Sequence, residues 1–231
     1  MEQGSLFSPG TDPLSGAGEI SEAEIASRLA RHEPGRRRSP IARSAELADG
    51  RPRGDHDLNP DLYEPEQALT PAAVLVPIVR RSRLSLLLTR RTDHLHDHAG
   101  QIAFPGGRVD EGDADALAAA LRETEEEVGL PRRHVEIVGR LDTYVTRTGF
   151  EVTPVVGLVT PPFPVEPDSF EVAEVFEVPL SFVLDPGNRQ IESRQYQGRE
   201  RHFYVYPYRD YYIWGATAGM LVNLSEVLER S

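Results

Sequence analysis

Glu123, Glu126 and Glu127 stand three and four residues apart, the spacing that places side chains on one face of an α-helix. Three carboxylates on one patch repel, and each is driven toward protonation unless a cation sits among them. Hard divalent cations, Mg²⁺ above all, take carboxylate oxygens and keep part of their water shell. Arg122 lies four residues before Glu126 and can pair with it, holding the cluster in shape. Glu125 points elsewhere and reads as a solvated bystander. The run is rich in acid overall, with eight carboxylates (Asp110, Glu111, Asp113, Asp115, Glu123, Glu125, Glu126 and Glu127). An acidic helix is usually just a solvated face, but two features point past that reading. The order Arg-Glu-x-x-Glu-Glu-x-Gly fixes five residues and arises by chance on the order of 10⁻⁶ times per start position. Gly106 and Gly107 precede the helix, and such a loop lets backbone approach a metal or phosphate closely.

The stretch from Phe104 to Leu130 resembles a Nudix box, G-x5-E-x7-R-E-U-x-E-E-x-G-U, where U is a bulky apolar residue. Arg122, Glu123, Glu126, Glu127, Gly129 and Leu130 fit their places. Thr124 stands at the first U. The interval from Gly107 to Arg122 is one residue longer than the common form, so the loop acid falls to Asp113 or Glu111. The same extension is similar to that of the coenzyme A pyrophosphatase subgroup. Upstream, Leu87, Leu88, Thr89, Arg91, Gly100, Phe104, Pro105, Gly106 and Gly107 match that subgroup's signature, L-[LF]-T-x-R-[SA]-x3-R-x3-G-x3-F-P-G-G. Thr92 replaces Ser/Ala, and His96 stands where the signature has Arg. Thr148-Gly149-Phe150, Val152 to Val155, Glu171-Val172, Val178 to Leu180 and Ile213 to Gly215 are also similar. The resemblance covers Pro71 to the C-terminus.

The resemblance implies an α+β fold, a Nudix-type α/β/α sandwich with a mixed central sheet and a catalytic loop–helix–loop. It implies hydrolysis of a nucleoside diphosphate linked to another moiety, with Mg²⁺ or Mn²⁺ as cofactor. Such cations polarise phosphoryl oxygens and activate water, and phosphoryl transfer needs mainly placement and electrostatics. Glu123, Glu126 and Glu127 are then the metal ligands, with Glu123 the leading alternative for general base. Arg122 orients them, and the backbone of Gly106 and Gly107 shapes the substrate pocket. Glu171 is the candidate distal carboxylate, with Glu174 second. Arg91 is the candidate phosphate contact, because a guanidinium fork fits phosphate oxygens. Coenzyme A is the leading substrate, cleaved to 3′,5′-ADP and 4′-phosphopantetheine. ADP-ribose, NADH or a nucleotide sugar stays open through His96, and a non-catalytic sensor or an acidic interaction protein is a further alternative.

These residues need elements to hold them. Asp115 to Val128 reads as the clearest helix, with Leu117, Leu121, Thr124 and Val128 along one face and Gly129 and Pro131 ending it. Ala72 to Val79, Leu84 to Thr89, Val135 to Val145, Phe150 to Val159 and Glu174 to Leu180 read as strands. Gln190 to Tyr196 and His202 to Tyr206 read as a hairpin around Gln197-Gly198, and Ala216 to Leu228 as a C-terminal helix. Strands and helices mix without regular alternation, which favours α+β. Residues 1–66 read as an N-terminal extension and 67–231 as the hydrolase domain. Within the extension, Met1 to Gly18 reads as a disordered tail. A short helix is expected near 21–33, with Ser21 and Glu24 as capping box and Ile20 with Ile25 as staple. Arg36 to Pro65 reads as a linker or an extended wrap.

Composition narrows the field. The 231 residues carry no cysteine and a formal charge of -12, so thiolate chemistry is excluded and binding to nucleic acid or anionic membrane is opposed by repulsion. All 25 basic residues are arginine, which removes Walker-type lysines and Schiff-base chemistry and associates with a GC-rich bacterial genome. No apolar run of transmembrane length and no signal peptide is seen, so a cytoplasmic protein is expected. Its expected partner is a small-molecule nucleotide, with a homodimer left open. His94, His96 and His98 alternate and invite a zinc reading, although no further ligand is evident. Trp214 and Tyr211 to Ile213 can stack an adenine, but such a cluster before a helix is more often core.

Overall fold

The computed structural model describes residues 20–34, 52–62, 68–94, 99–196 and 198–229. The Met1 to Gly18 tail, Arg36 to Arg38, and His96 and His98 of the histidine run lie outside the described residues. Five segments rich in Val, Leu and Ala build the frame: β2 (Thr70–Val79), β3 (Ser85–Arg91), β6 (Val135–Arg140), β8 (Phe150–Val159) and β9 (Val172–Pro179). β2 and β8 are parallel over ten pairs, Thr70 opposite Phe150 through Val79 opposite Val159. β3 runs antiparallel to both β2 and β9, so the sheet is mixed. Short strands β1 (Arg53–Gly54), β4 (Ile102–Ala103), β5 (Gly106–Arg108) and β7 (Tyr144–Val145) complete nine strands among the described residues.

Strand alternation assigns each side chain of β2 to one of two cores. Ala73, Leu75 and Val79 face α2 (Ala116–Val128), together with Leu87, Val155 and Val159. Ala72, Val76 and Ile78 face the other way, into the core shared with α1 (Glu22–Ala30), α3 (Leu180–Leu184) and α4 (Gly215–Glu229). The result is the expected α+β sandwich, with helices on both faces of a mixed sheet. A second sheet of β10 (Gln190–Tyr196), β11 (Arg199–Tyr208) and β12 (Tyr211–Trp214) adjoins α4. Tyr206 and Ile213, both fully buried, join it to the core of α4. No helix among the described residues is long and apolar enough to cross a membrane.

Two expectations need correction. The apolar face of α2 differs in part: Leu121, Thr124 and Val128 face the core as expected, but Leu117 is exposed, and Ala119, Ala120 and Glu127 are buried instead. Small alanines let the helix lie close to β2, and a leucine-based stripe would hold it away. The strand expected over Val135 to Val145 breaks into β6 and β7, because Leu141 and Asp142 turn inward between them. The Tyr211 to Trp214 cluster is strand β12 and is core in part, as expected: Ile213 is fully buried and Tyr211 stacks on Phe176 with ring centroids 3.8 Å apart.

The segment before β2 wraps the main body over residues 52–62. Arg53 is 5% exposed and meets the equally buried carboxylates of Asp142 and Glu226, with its Nε 3.2 Å from Asp142 Oδ2. Asn223 of α4 donates to the same Asp142 at 2.9 Å and accepts its backbone N–H. α1 begins where Ser21 accepts the Glu24 N–H at 3.2 Å, and it buries Ile25 and Leu29. Instead of closing the capping box, the Glu24 carboxylate pairs with Arg28. Replacing Arg53 with alanine leaves two buried acids without their shared cation. Chemical denaturation of Arg53→Ala is expected to show a loss of about 3–5 kcal/mol.

Candidate metal and phosphate site

The site forms where the N-terminal sequence of β5 meets the C-terminal half of α2. Asp115 caps α2 by accepting the Ala118 N–H at 2.8 Å, and Gly129 ends it at φ 72°, a left-handed cap suited to glycine. Between them the helix turns Glu123 and Glu127, one turn apart, toward the Gly106–Gly107 backbone. Glu127 Oε2 accepts the Gly106 N–H at 3.0 Å. The Glu123 carboxyl lies over Gly107, where an added Cβ would stand 2.5 Å from its Cδ. Gly106 itself has φ 151° and sits against the Ala73 carbonyl, 2.3 Å from where a Cβ would be. One glycine thus admits the β2 backbone and the next admits a carboxylate.

Arg122 organises the outer half of the cluster. Its Nε and Nη2 grip Asp113 at 3.0 and 2.9 Å, and its Nη1 donates to Glu123 at 2.9 Å and Glu126 at 3.2 Å. The paired guanidinium and the Asp110 N–H hold the Asp113 carboxyl down to about 2 from 3.8. Asp113, one of the two loop acids considered, is therefore a support for Arg122. Glu111 lies exposed in the same loop. Glu126 stays 61% exposed at the side chain. Glu125 pairs at the surface with Arg132 at 3.3 Å.

The inner half is drier. Burial pushes Glu127 up to about 7, against the pull of the Gly106 N–H and Arg91, and Glu171 and Glu123 add repulsion. Burial likewise raises Glu123, opposed by Arg122. Arg91 stands between two acids, 3.8 Å from Glu127 through Nη1 and 3.8 Å from Glu171 through Nη2. Its Nε is buried with no hydrogen-bond partner among the described residues. Successive residues of a strand point to opposite faces, so Arg90 and Arg91 part, and the β3–β9 register shifts between them. Arg90 goes with Glu174 at 3.3 Å, and Glu174 accepts from the Tyr211 hydroxyl at 2.6 Å. Of the two distal acids considered, Glu171 is the one that joins Arg91 and Glu127.

The structure also gives Thr92 a part that the sequence reading missed. Its hydroxyl donates to the Phe170 carbonyl at 2.8 Å, and its N–H donates to the Glu171 carbonyl at 3.0 Å. It thereby pins the Glu171 loop to the end of β3. The signal was available, since threonine keeps the hydroxyl of the serine that the pattern carries there. His94 packs beside Phe170, ring centroids 5.0 Å apart. Trp214 lies edge-on to Phe203 on the second sheet.

Among the described residues no three acidic or histidine side chains already converge as ligands of one ion. The donor chemistry nonetheless fits a hard divalent cation. Glu123 and Glu127 are carboxylates, both desolvated, both raised and mutually repelling, and a cation relieves all three conditions. Glu126 supplies a further exposed carboxylate on the same helix.

Two outcomes follow from this geometry. Gly106→Ala is expected to lower Tm by several degrees, because its Cβ meets β2 backbone. Gly107→Ala is expected to leave Tm within about 2 °C, because only the flexible end of Glu123 must move. Thermal melts of both variants check this. The Asp113 carboxyl, depressed from 3.8 to about 2, stabilises the fold fully above pH 3.8 and loses that contribution as pH falls through about 2. The stability gap between the wild type and Asp113→Asn should therefore narrow over that window, as read by denaturation at each pH.

The chain is similar to known proteins. The family model described as NUDIX domain matches residues 69–198. A protein of Escherichia coli (strain K12) described as "Uncharacterized Nudix hydrolase NudL" is 47% identical over 154 residues, which span 67% of this chain and 80% of that relative. Among solved structures, a Caenorhabditis elegans Ap4A hydrolase binary complex has a TM-score of 0.42 at 24% identity, covering 48% of this chain and 80% of that one. A MutT protein from Methanosarcina mazei Go1 has a TM-score of 0.42 at 22% identity, covering 52% and 84%. With the domain model spanning the loop, the acidic helix and the Glu171 segment together, the chain belongs to the Nudix family.

Proposed function

We propose that the chain is a divalent-metal-dependent pyrophosphohydrolase that cleaves the phosphoric anhydride of coenzyme A or its derivatives, releasing 3′,5′-ADP and 4′-phosphopantetheine. The observation that carries the hydrolase reading is the Arg91 bridge between Glu127 and Glu171, beside Glu123 on the glycine loop. It sets a phosphate-sized cation next to desolvated carboxylates, the pairing a pyrophosphate needs. Mg²⁺ or Mn²⁺, held by Glu123, Glu126 and Glu127, would neutralise phosphoryl charge and activate the attacking water. Arg122 keeps Glu123 and Glu126 oriented through its hydrogen bonds. Arg91 orients the anionic substrate with the guanidinium face that now meets two acids. Glu171, partly exposed and tethered through Thr92, takes the proton of the attacking water, with Glu123 as the alternative base. The Gly106–Gly107 backbone shapes the pocket floor.

The coenzyme A reading rests on the subgroup signature from Leu87 to Gly107 and on the one-residue extension before Arg122. His96 in place of the signature arginine supports a second reading, hydrolysis of ADP-ribose, NADH or a nucleotide sugar by the same carboxylates. Parallel assays with Mg²⁺ or Mn²⁺ on coenzyme A, ADP-ribose and NADH, with products resolved by chromatography, separate them. 3′,5′-ADP released fastest from coenzyme A is expected, and a faster rate on another substrate discards the subgroup. Glu127→Gln and Glu126→Gln are each expected to lower turnover at least about 100-fold while the fold is retained. A folded pair of variants keeping a tenth or more of the activity (about tenfold loss or less) would falsify the metal-site assignment.

A further inference from the structure

The second sheet ends on an open edge. Among the described residues β10 pairs with β11 alone, and six of its seven residues are exposed. It has no proline, no glycine and no register shift, and its two charged residues, which can also blunt an edge, are of opposite sign. Of the exposed large hydrophobic residues described, Ile191 at 52% and Tyr196 at 40% both lie on this strand. An open strand of this kind offers alternate N–H and C=O groups to another strand.

The charges on β10 specify which strand. Glu192 and Arg194 flank Ser193. Set antiparallel against a second copy about a two-fold axis through Ser193, the strand places Glu192 opposite Arg194 twice. Ile191 then faces Gln195, and Gln190 faces Tyr196. Opposite charges directly across a ladder stabilise it, and like charges oppose it. Shifting the register by two residues puts Glu192 against Glu192 or Arg194 against Arg194. Shifting it by one sets the faces of the two sheets against each other. The two-fold register pairs like with like in strand parity, so an outward-pointing residue always meets an outward-pointing residue.

We infer that two copies of the chain pair through β10 in this register, extending each three-stranded sheet into one sheet shared by a two-fold dimer. Sedimentation of the full chain is expected to show reversible dimers, with a Kd of about 10 μM for so small an interface. Arg194→Glu sets acid against acid at two places and is expected to weaken the dimer roughly tenfold or more. Combining Glu192→Arg with Arg194→Glu reverses both charges and is expected to restore it.

Arg194 also lies over the rings of Phe203 and Trp214, at 5.6 and 5.5 Å, so a separate measurement avoids reliance on its charge. The chain has no cysteine, and Ser193→Cys places a single thiol at the two-fold axis. Mild oxidation is expected to cross-link this variant into covalent dimers, and to leave Ile191→Cys, which faces Gln195, uncross-linked. A wild-type chain that is monomeric up to roughly 100 μM overturns the inference. So does a dimer that Arg194→Glu leaves unchanged, or a cysteine pattern that is absent or reversed.

Discussion

The close approach of α2 to β2 is the constraint on which the site depends. Ala119 and Ala120 are fully buried against Ala73 and Leu75, so the helix rides low over the sheet. Only from that height does the Glu127 carboxylate reach the Gly106 N–H. The same proximity makes both glycines necessary, one to pass the β2 backbone and one to seat the Glu123 carboxyl. A larger residue at any of these four positions would lift the helix or push a carboxylate off the loop. Packing and chemistry here are a single arrangement.

Dense negative charge then has to be held in place. Eight acids fall between Asp110 and Glu127 in a chain that already carries net charge -12. Two arginines manage them at different depths. Arg122 binds the outer acids with a full set of short hydrogen bonds, which fixes their geometry. Arg91 meets the inner ones at longer range, with its Nε lacking a hydrogen-bond partner among the described residues. A guanidinium can play both parts because its donors are many and fixed in plane. A lysine ammonium, absent from this chain, would give a point charge without that shape.

Charge burial organises the far side of the molecule as well. Arg53, from the wrap before β2, sits between Asp142 and Glu226. It ties the chain ahead of the main sheet to the turn after β6 and to α4. Such buried ion pairs add little net stability when intact, but they fix one arrangement, because any other leaves a charge without water or partner.

The helix, its caps and the acidic face were legible in the sequence, because helical spacing and capping are local properties of a few consecutive residues. So were most strands, from their β-branched runs. The buried stripe of α2 was legible only in part: Leu121, Thr124 and Val128 lie where helical spacing puts them, while only the nearness of β2 shows why Ala119 and Ala120 face inward and Leu117 does not. The choice of Glu171 over Glu174 was a matter of pattern in the sequence. In the structure the two acids lie beside different arginines, Glu174 by Arg90 and Glu171 by Arg91, whose side chains leave the strand on opposite faces. The burial of Arg53 and the tether at Thr92 join residues far apart in the chain, and no local rule reaches that far. Residue types and their spacing name the groups that can do chemistry. Tertiary structure decided which groups share one desolvated place, because desolvation and charge pairing depend on what packs around a residue rather than on what precedes it.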